Sequence, residues 1–245
     1  MSRRYKLIVA YDGAPFSGWQ SQPDNNAIQD HLERAIHKIG GERARVQGAG
    51  RTDAGVHALA QCAHVDLAKD LTPARWLRAM NAILPPMIRV MRCTNVAPSF
   101  HARFSAKGKI YRYRIWNGEA LPPHELGRAW HIAQKLDVDL MKESARAFEG
   151  EHDFAAFAAN RGKLEKDTRR KMETMTLRRR GELIEIEFHG AGFLYKMARM
   201  LTGAMVDCGL KKMAIVDLRE RLRGTKPRAR TTAPACGLFL VRVRY

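Results

Sequence analysis

The stretch Gly48–Ala58, GAGRTDAGVHA, sets one carboxylate, Asp53, two residues after a cation, Arg51, within a run of permissive glycines. Spacing excludes several uses of such a stretch. A phosphate-cradling P-loop needs Lys and then Ser or Thr after its second glycine, whereas Gly55 is followed by Val56-His57. The dinucleotide fingerprint leaves two residues between its second and third glycines, and here four separate Gly50 from Gly55. No nearby acid completes a glycosidase pair, although a distant partner stays open, and no G-x-S-x-G elbow supports Ser/His/Asp catalysis. Two readings are left. Either this is a structural turn, or it holds a reactive acid that Arg51 keeps ionised as nucleophile or base.

The charge balance narrows the partner. Lys and Arg number 43 against 25 Asp and Glu, a net charge of +18, which points to a polyanion and above all to nucleic acid. With 245 residues and 45% hydrophobic content, the chain can fill one large domain or two modest ones. No apolar run approaches a membrane span, and Leu7–Ala10 is too short for the core of a signal peptide, so the expectation is a soluble cytoplasmic protein. Cys62, Cys93, Cys208 and Cys236 are scattered, without C-x-x-C pairs or histidines at zinc spacing, so neither a disulfide framework nor a metal site is expected.

Periodicity predicts an α+β chain. Strands are expected at Tyr5–Tyr11, Gln61–Leu67, Ile88–Val96, Lys109–Trp116, Glu182–His189 and Leu238–Tyr245. Helices are expected from caps at Asp24-Asn25-Asn26 to Ile39, from Thr72 to Leu84, over Asp137–Gly150, through Phe193–Cys208, and around Asp217–Leu222. Each half interleaves strands with helices and the divide falls near Ser105, giving lobes 1–105 and 106–245; two lobes sharing a sheet would suit this pattern.

Basic residues cluster in three places. His101–Arg114 holds five Lys or Arg and no acid, interleaved with Phe104, Tyr111 and Tyr113. Arg161–Arg180 has nine against three acids, and Arg219–Arg230 six against Glu220. Cations among aromatics suit phosphate contacts beside stacked, unpaired bases, although a core position is the stronger expectation for Tyr113.

The full string from Gly48 resembles the catalytic motif of TruA-type tRNA pseudouridine synthases, and four further blocks agree in order. They are YDGAPFSGWQSQ at Tyr11–Gln22, FHARFSAKGKIYRYRI at Phe100–Ile115, FLYKMAR at Phe193–Arg199 and APACGLFLVRV at Ala233–Val243. The resemblance implies a pseudouridine synthase fold, with a mostly antiparallel central sheet shared by two α/β lobes, helices packed on it and an active-site cleft between the lobes. It implies Asp53 as the catalytic nucleophile and catalytic roles for Arg51, Tyr111 and Arg199. Substrate contacts are implied for Tyr111, Leu238, Phe100, His101, Ala102, Arg103 and Phe104, with Arg103 on a phosphate. Thr52 and His57 are expected to support the loop. The implied reaction isomerises uridine to pseudouridine at positions 38, 39 and 40 of the tRNA anticodon stem-loop, with base flipping and no cofactor or metal, in a homodimer. The alternatives are a sibling synthase for other RNA uridines and a non-catalytic RNA-binding protein of the same fold. The sequence departs from the family at Met87, where an acid is usual, in the loose helix motif KMARM, and over Arg161–Lys171.

Overall fold

The computed structural model describes residues 2–160 and 167–245. Residues 161–166, half of the poorly matching Arg161–Lys171 segment, lie outside the described residues. The chain is α+β and divides into two compact units. One runs to Lys107 and takes in Phe239–Tyr245; the other is Gly108–Leu238.

The first unit contains β1 (Arg3–Tyr11), α1 (Ile28–Gly40), β2 (Gln47–Gly48), β3 (His57–Leu67), α2 (Pro73–Ile83) and β4 (Ile88–Asn95). The second contains β5 (Gly108–Trp116), β6 (Trp130–His131), α3 (Val138–Phe148), β7 (Gly150–Asp153), β8 (Arg169–Arg180), β9 (Leu183–Gly190), α4 (Met197–Gly209) and α5 (Ile215–Leu222). The chain ends in β10 (Leu238–Arg244). The sequence places the divide near Ser105 and the closing strand in the second lobe. By contacts, that strand sits with the first unit from Phe239 onward, because Phe239 and Leu240 pair in parallel with His57 and Ala58.

In the first unit β1 is central, antiparallel to both β3 and β4. Its alternation sends Tyr5, Leu7, Val9 and Tyr11 into the core. Ile28, Leu32, Ala35 and Ile36 of α1, with Trp76 and Met80 of α2, supply the helical side of that core. Trp76 meets Tyr5 edge-on at 6.2 Å. The α1 cap differs from expectation. Ala27 is the N-cap, and Asp30 reaches back to accept its N–H at 2.9 Å, while Asp24 accepts from Asn26 in the loop before it.

In the second unit β5, β9, β8 and β7 form an antiparallel run, with β6 parallel on β5. Arg112 and Arg114 project from β5 opposite Glu187 and Glu185 of β9; Arg112 reaches Glu187 at 2.7 Å and Arg114 reaches Glu125 at 2.8 Å. Two of the five cations in the His101–Arg114 cluster are thus paired within the strand face.

Several elements differ from the sequence reading. β3 begins at His57, four residues before the expected Gln61, and the short β2, β6 and β7 are not among the expected strands. α4 begins at Met197, four residues after Phe193, because Lys196 before it takes a left-handed φ of 57°. β8, twelve residues long, has no clean alternation to reveal it. A register shift between Met172 and Thr174 buries Met172 and Met175, three apart, amid exposed charges.

Candidate active site

Asp53 sits half-buried in the connection between β2 and β3, and the opening segment Tyr11–Gln22 builds its surroundings. The Trp19 N–H donates to the Thr52 carbonyl at 3.1 Å, and the Val56 N–H closes a turn on the Asp53 carbonyl at 3.1 Å. Gly55 takes the φ of +77° that this turn requires. Gly18, at φ +91°, lies so close that a Cβ there would stand 2.6 Å from the Thr52 oxygen and 3.0 Å from the Asp53 carbonyl carbon. The side chain of Gln61 donates to the Gly50 carbonyl at 2.9 Å.

Thr52 and His57 support the loop, as the sequence suggests. Thr52 Oγ1 and the buried Tyr11 hydroxyl share a 2.8 Å hydrogen bond. Burial pushes the Tyr11 hydroxyl well above its ordinary pKa, outweighing the hydrogen bonds from Thr52 and Gln61, so it stays a neutral strut. His57 Nδ1 accepts the Gly13 N–H at 3.1 Å, and its ring stacks on Phe239 at 4.5 Å. Met87, the departure from the family pattern, contributes through its backbone: its carbonyl accepts the Asp12 N–H at 3.0 Å whatever its side chain. Arg51 is exposed, and its Nε donates to Gln20 Oε1 at 3.1 Å. Gln20 is a contact that the reading of charged residues missed, although it stands inside the opening block.

The Phe100–Phe104 block forms a tight exposed loop in the same unit. His101 Nδ1 accepts from the N–H groups of Arg103 and Phe104, at 3.1 and 3.3 Å, while Nε2 donates to Gln47 Oε1 at 3.2 Å. Ala102 is fully buried; its N–H donates to His64 Nδ1 and its carbonyl accepts from the Tyr245 hydroxyl at 2.7 Å. Phe100 is half-buried and edges onto Tyr245, while Lys6 lies over both rings. Arg103 is exposed, and Phe104 is 78% exposed beside it. The block therefore divides into anchors (Phe100, His101, Ala102) and two presented side chains.

In the second unit Tyr111 is buried on β5, opposite Phe188 of β9 and edge-on to Phe193 at 4.8 Å. Tyr113 is a core residue; its hydroxyl donates to the Pro234 carbonyl at 2.7 Å, and burial raises its pKa. Arg199, in the first turn of α4, is clasped to Ala233 in the segment that leads into β10. Its Nε donates to the Ala233 carbonyl at 2.7 Å, and the Ala233 N–H returns a bond to the Arg199 carbonyl at 3.1 Å. Leu238 is buried at the start of β10. Among the described residues, no group of three or more His, Cys, Asp or Glu side chains is placed to hold a metal ion. No helix among them is long and apolar enough to cross a membrane.

The family model described as tRNA pseudouridine synthase matches residues 7–105 and 144–245. The chain belongs to the tRNA pseudouridine synthase family. It is 42% identical to the tRNA pseudouridine synthase A of Akkermansia muciniphila over 99% of this chain and 95% of that one. It is 39% identical to that of Acetivibrio thermocellus, over 99% of this chain and all of its relative. The Bacillus licheniformis enzyme matches at 39% over 99% of both chains. The family isomerises uridine to pseudouridine in tRNA, and this protein is an isomerase. Asp53, Arg51, Arg199 and Leu238 fall within the matched segments of this synthase, whereas Tyr111 lies between them.

Two predictions follow from the first unit. Gly18→Ala combines a φ unfavourable to any side chain with a 2.6 Å approach to the Thr52 oxygen, and the strain is expected to cost about 1–3 kcal/mol. Urea unfolding reads that loss, and turnover should fall with it because the Asp53 backbone must shift. The second concerns His64, which burial first, and then the charges of His101 and Arg4, push from 6.5 down to about 4. The fold favours the neutral ring, so its contribution is complete above pH 6.5 and is lost as pH falls through the window toward 4. Stability measured across that window should fall less steeply in His64→Gln, whose amide oxygen still accepts from Ala102.

Proposed function

We propose that this enzyme converts uridine to pseudouridine at positions 38, 39 and 40 of the tRNA anticodon stem-loop, with Asp53 as the essential acid. The reaction breaks the N1–C1′ bond, turns the uracil and rejoins it through C5; the C5 hydrogen leaves to solvent as a proton and N1 takes up a proton in its place. It needs no oxidant and no external group. A stacked target base must first leave the helix, at a cost of a few kcal/mol. Arg51 aids that extraction, Tyr111 stacks on the freed uracil beside Leu238, and Arg199 supplies a cation for the acid or the RNA. Arg103 takes a backbone phosphate and Phe104 lies along the RNA, on the anchored loop of Phe100, His101 and Ala102. The enzyme works as a cytoplasmic homodimer.

The observation that carries this reading is the treatment of the Asp53 loop. The matched opening segment, two of whose residues approach the loop backbone to backbone, and β3 are both spent on holding one half-buried carboxylate in place. A binding module has no need of that expenditure. The net charge of +18, with Arg103 and Phe104 presented side by side, supports RNA as the partner.

Asp53→Asn preserves the shape of the side chain and removes the carboxylate. With tRNA tritiated at uridine C5, tritium release is expected to fall by at least about a thousandfold while filter-binding affinity for tRNA holds, as for loss of a covalent nucleophile. Turnover by the variant would remove Asp53 from the chemistry. Mapping pseudouridine in tRNA from cells lacking the gene tests the positions: loss at 38–40 is expected, and loss elsewhere would make the protein a sibling synthase.

A further inference from the structure

We propose that Gln20 is a positioning residue for Arg51, holding the guanidinium through a hydrogen-bonded chain that runs back into α1; this rests on the reading of Arg51 as the group that aids uridine extraction. The chain begins at a carboxylate. Glu33 Oε1 accepts the Val46 N–H at 2.9 Å and the Gln29 Nε2 at 2.8 Å. Gln29 Oε1 accepts the Ser21 N–H at 3.1 Å and the Gln20 Nε2 at 2.9 Å. Gln20 Oε1 then accepts from Arg51 Nε at 3.1 Å.

Every orientation along this chain is dictated by its neighbours. A backbone N–H can only donate, so the end of Gln29 facing Ser21 must be its oxygen, and its NH2 must face Glu33, which as a carboxylate accepts. Gln20 is then obliged to turn its NH2 toward Gln29 and its oxygen toward Arg51. A guanidinium has donors only, so the last link is matched as well. Reversing the Gln20 amide would break two bonds at once, and reversing Gln29 three. Gln29 is 4% exposed and Gln20 half-buried, so water substitutes poorly for the links at that end.

The consequence falls on an exposed arginine. Such a side chain carries about 2 kcal/mol of rotamer entropy, part of which is lost when it engages a partner. A fixed acceptor at Nε pre-orders the planar fork before RNA arrives. The bond uses the inner nitrogen and does not commit the four N–H groups of the two terminal nitrogens. Gln20 touches no substrate in this scheme; it acts through Arg51.

The test is a double-mutant cycle on single-turnover pseudouridine formation with saturating tRNA. Gln20→Met keeps length and volume but has no acceptor, and is expected to slow the step about tenfold, with tRNA affinity within about twofold of the parent. Gln20→Glu keeps an oxygen for Arg51 Nε but sets its other oxygen against Gln29 Oε1, and should recover only part of that rate. In an Arg51→Ala background, Gln20→Met should add nothing, because its whole effect passes through the guanidinium. Losses that multiply would show a general structural role and overturn the proposal, as would a parental rate in Gln20→Met beside a slow Arg51→Ala. A parental rate in Arg51→Ala would instead overturn the reading of Arg51, and this inference with it. Should Gln20→Met fail to fold, Gln20→Ala carries the same expectations.

Discussion

Between the end of β1 and the start of β3, two irregular segments meet backbone to backbone, and the placement of Asp53 depends on that meeting. Gly18 comes within van der Waals contact of the Thr52–Asp53 peptide, and the adjacent Trp19 N–H bonds to the Thr52 carbonyl. Gly13 gives its N–H to His57 at the other end of the loop. Once these bonds are made, the loop's glycines no longer confer mobility; they permit an approach that a side chain would block. Tyr11, Thr52, Gln61 and His57 then fill the space behind the carboxylate with satisfied, buried polar groups. A carboxylate in a flexible loop would spend most of its time misaligned, whereas the loop that carries this one is bonded to the opening segment and to β3.

The same economy governs the other functional side chains. His101 uses one ring nitrogen to bind two successive N–H groups and the other to reach Gln47, so Arg103 and Phe104 stand out from a loop that is itself pinned. In the second unit, the reciprocal Ala233–Arg199 bonds and the Tyr113–Pro234 bond bind the first turn of α4 and β5 to one short segment. Part of the basic charge serves the fold: Arg112 and Arg114 face glutamates, and Arg4 is bound to Asp66.

How much of this was legible in the sequence depended on which physical signal each part carries. β1, β5 and β9 alternate cleanly because one face is core, and their expected bounds hold within one or two residues. β8 was hidden because its bulge spaces Met172 and Met175 by three, and its charges read as part of the basic Arg161–Arg180 cluster. The start of α4 was read too early because Phe193 stands four residues before Met197, at helical spacing, while the left-handed Lys196 leaves no mark in the pattern. Asp53 and Arg51 stood out as a charged pair among glycines. The partner that orients the Arg51 guanidinium is Gln20, 31 residues upstream, and no local spacing rule connects the two. Ala102 gives no chemical signal at all, yet its two backbone bonds anchor the loop.

The central claim, that the opening segment and β3 together hold the Asp53 loop rigid, is tested most directly by amide hydrogen exchange in the folded enzyme. The amides of Gly13, Trp19, Ala49 and Val56 all donate to partners in or beside the loop. They should exchange as slowly as those of β1 and β3, opening only with the unit as a whole. Exchange as fast as at the exposed Gln22 amide would mean that the loop opens on its own, and would contradict the account.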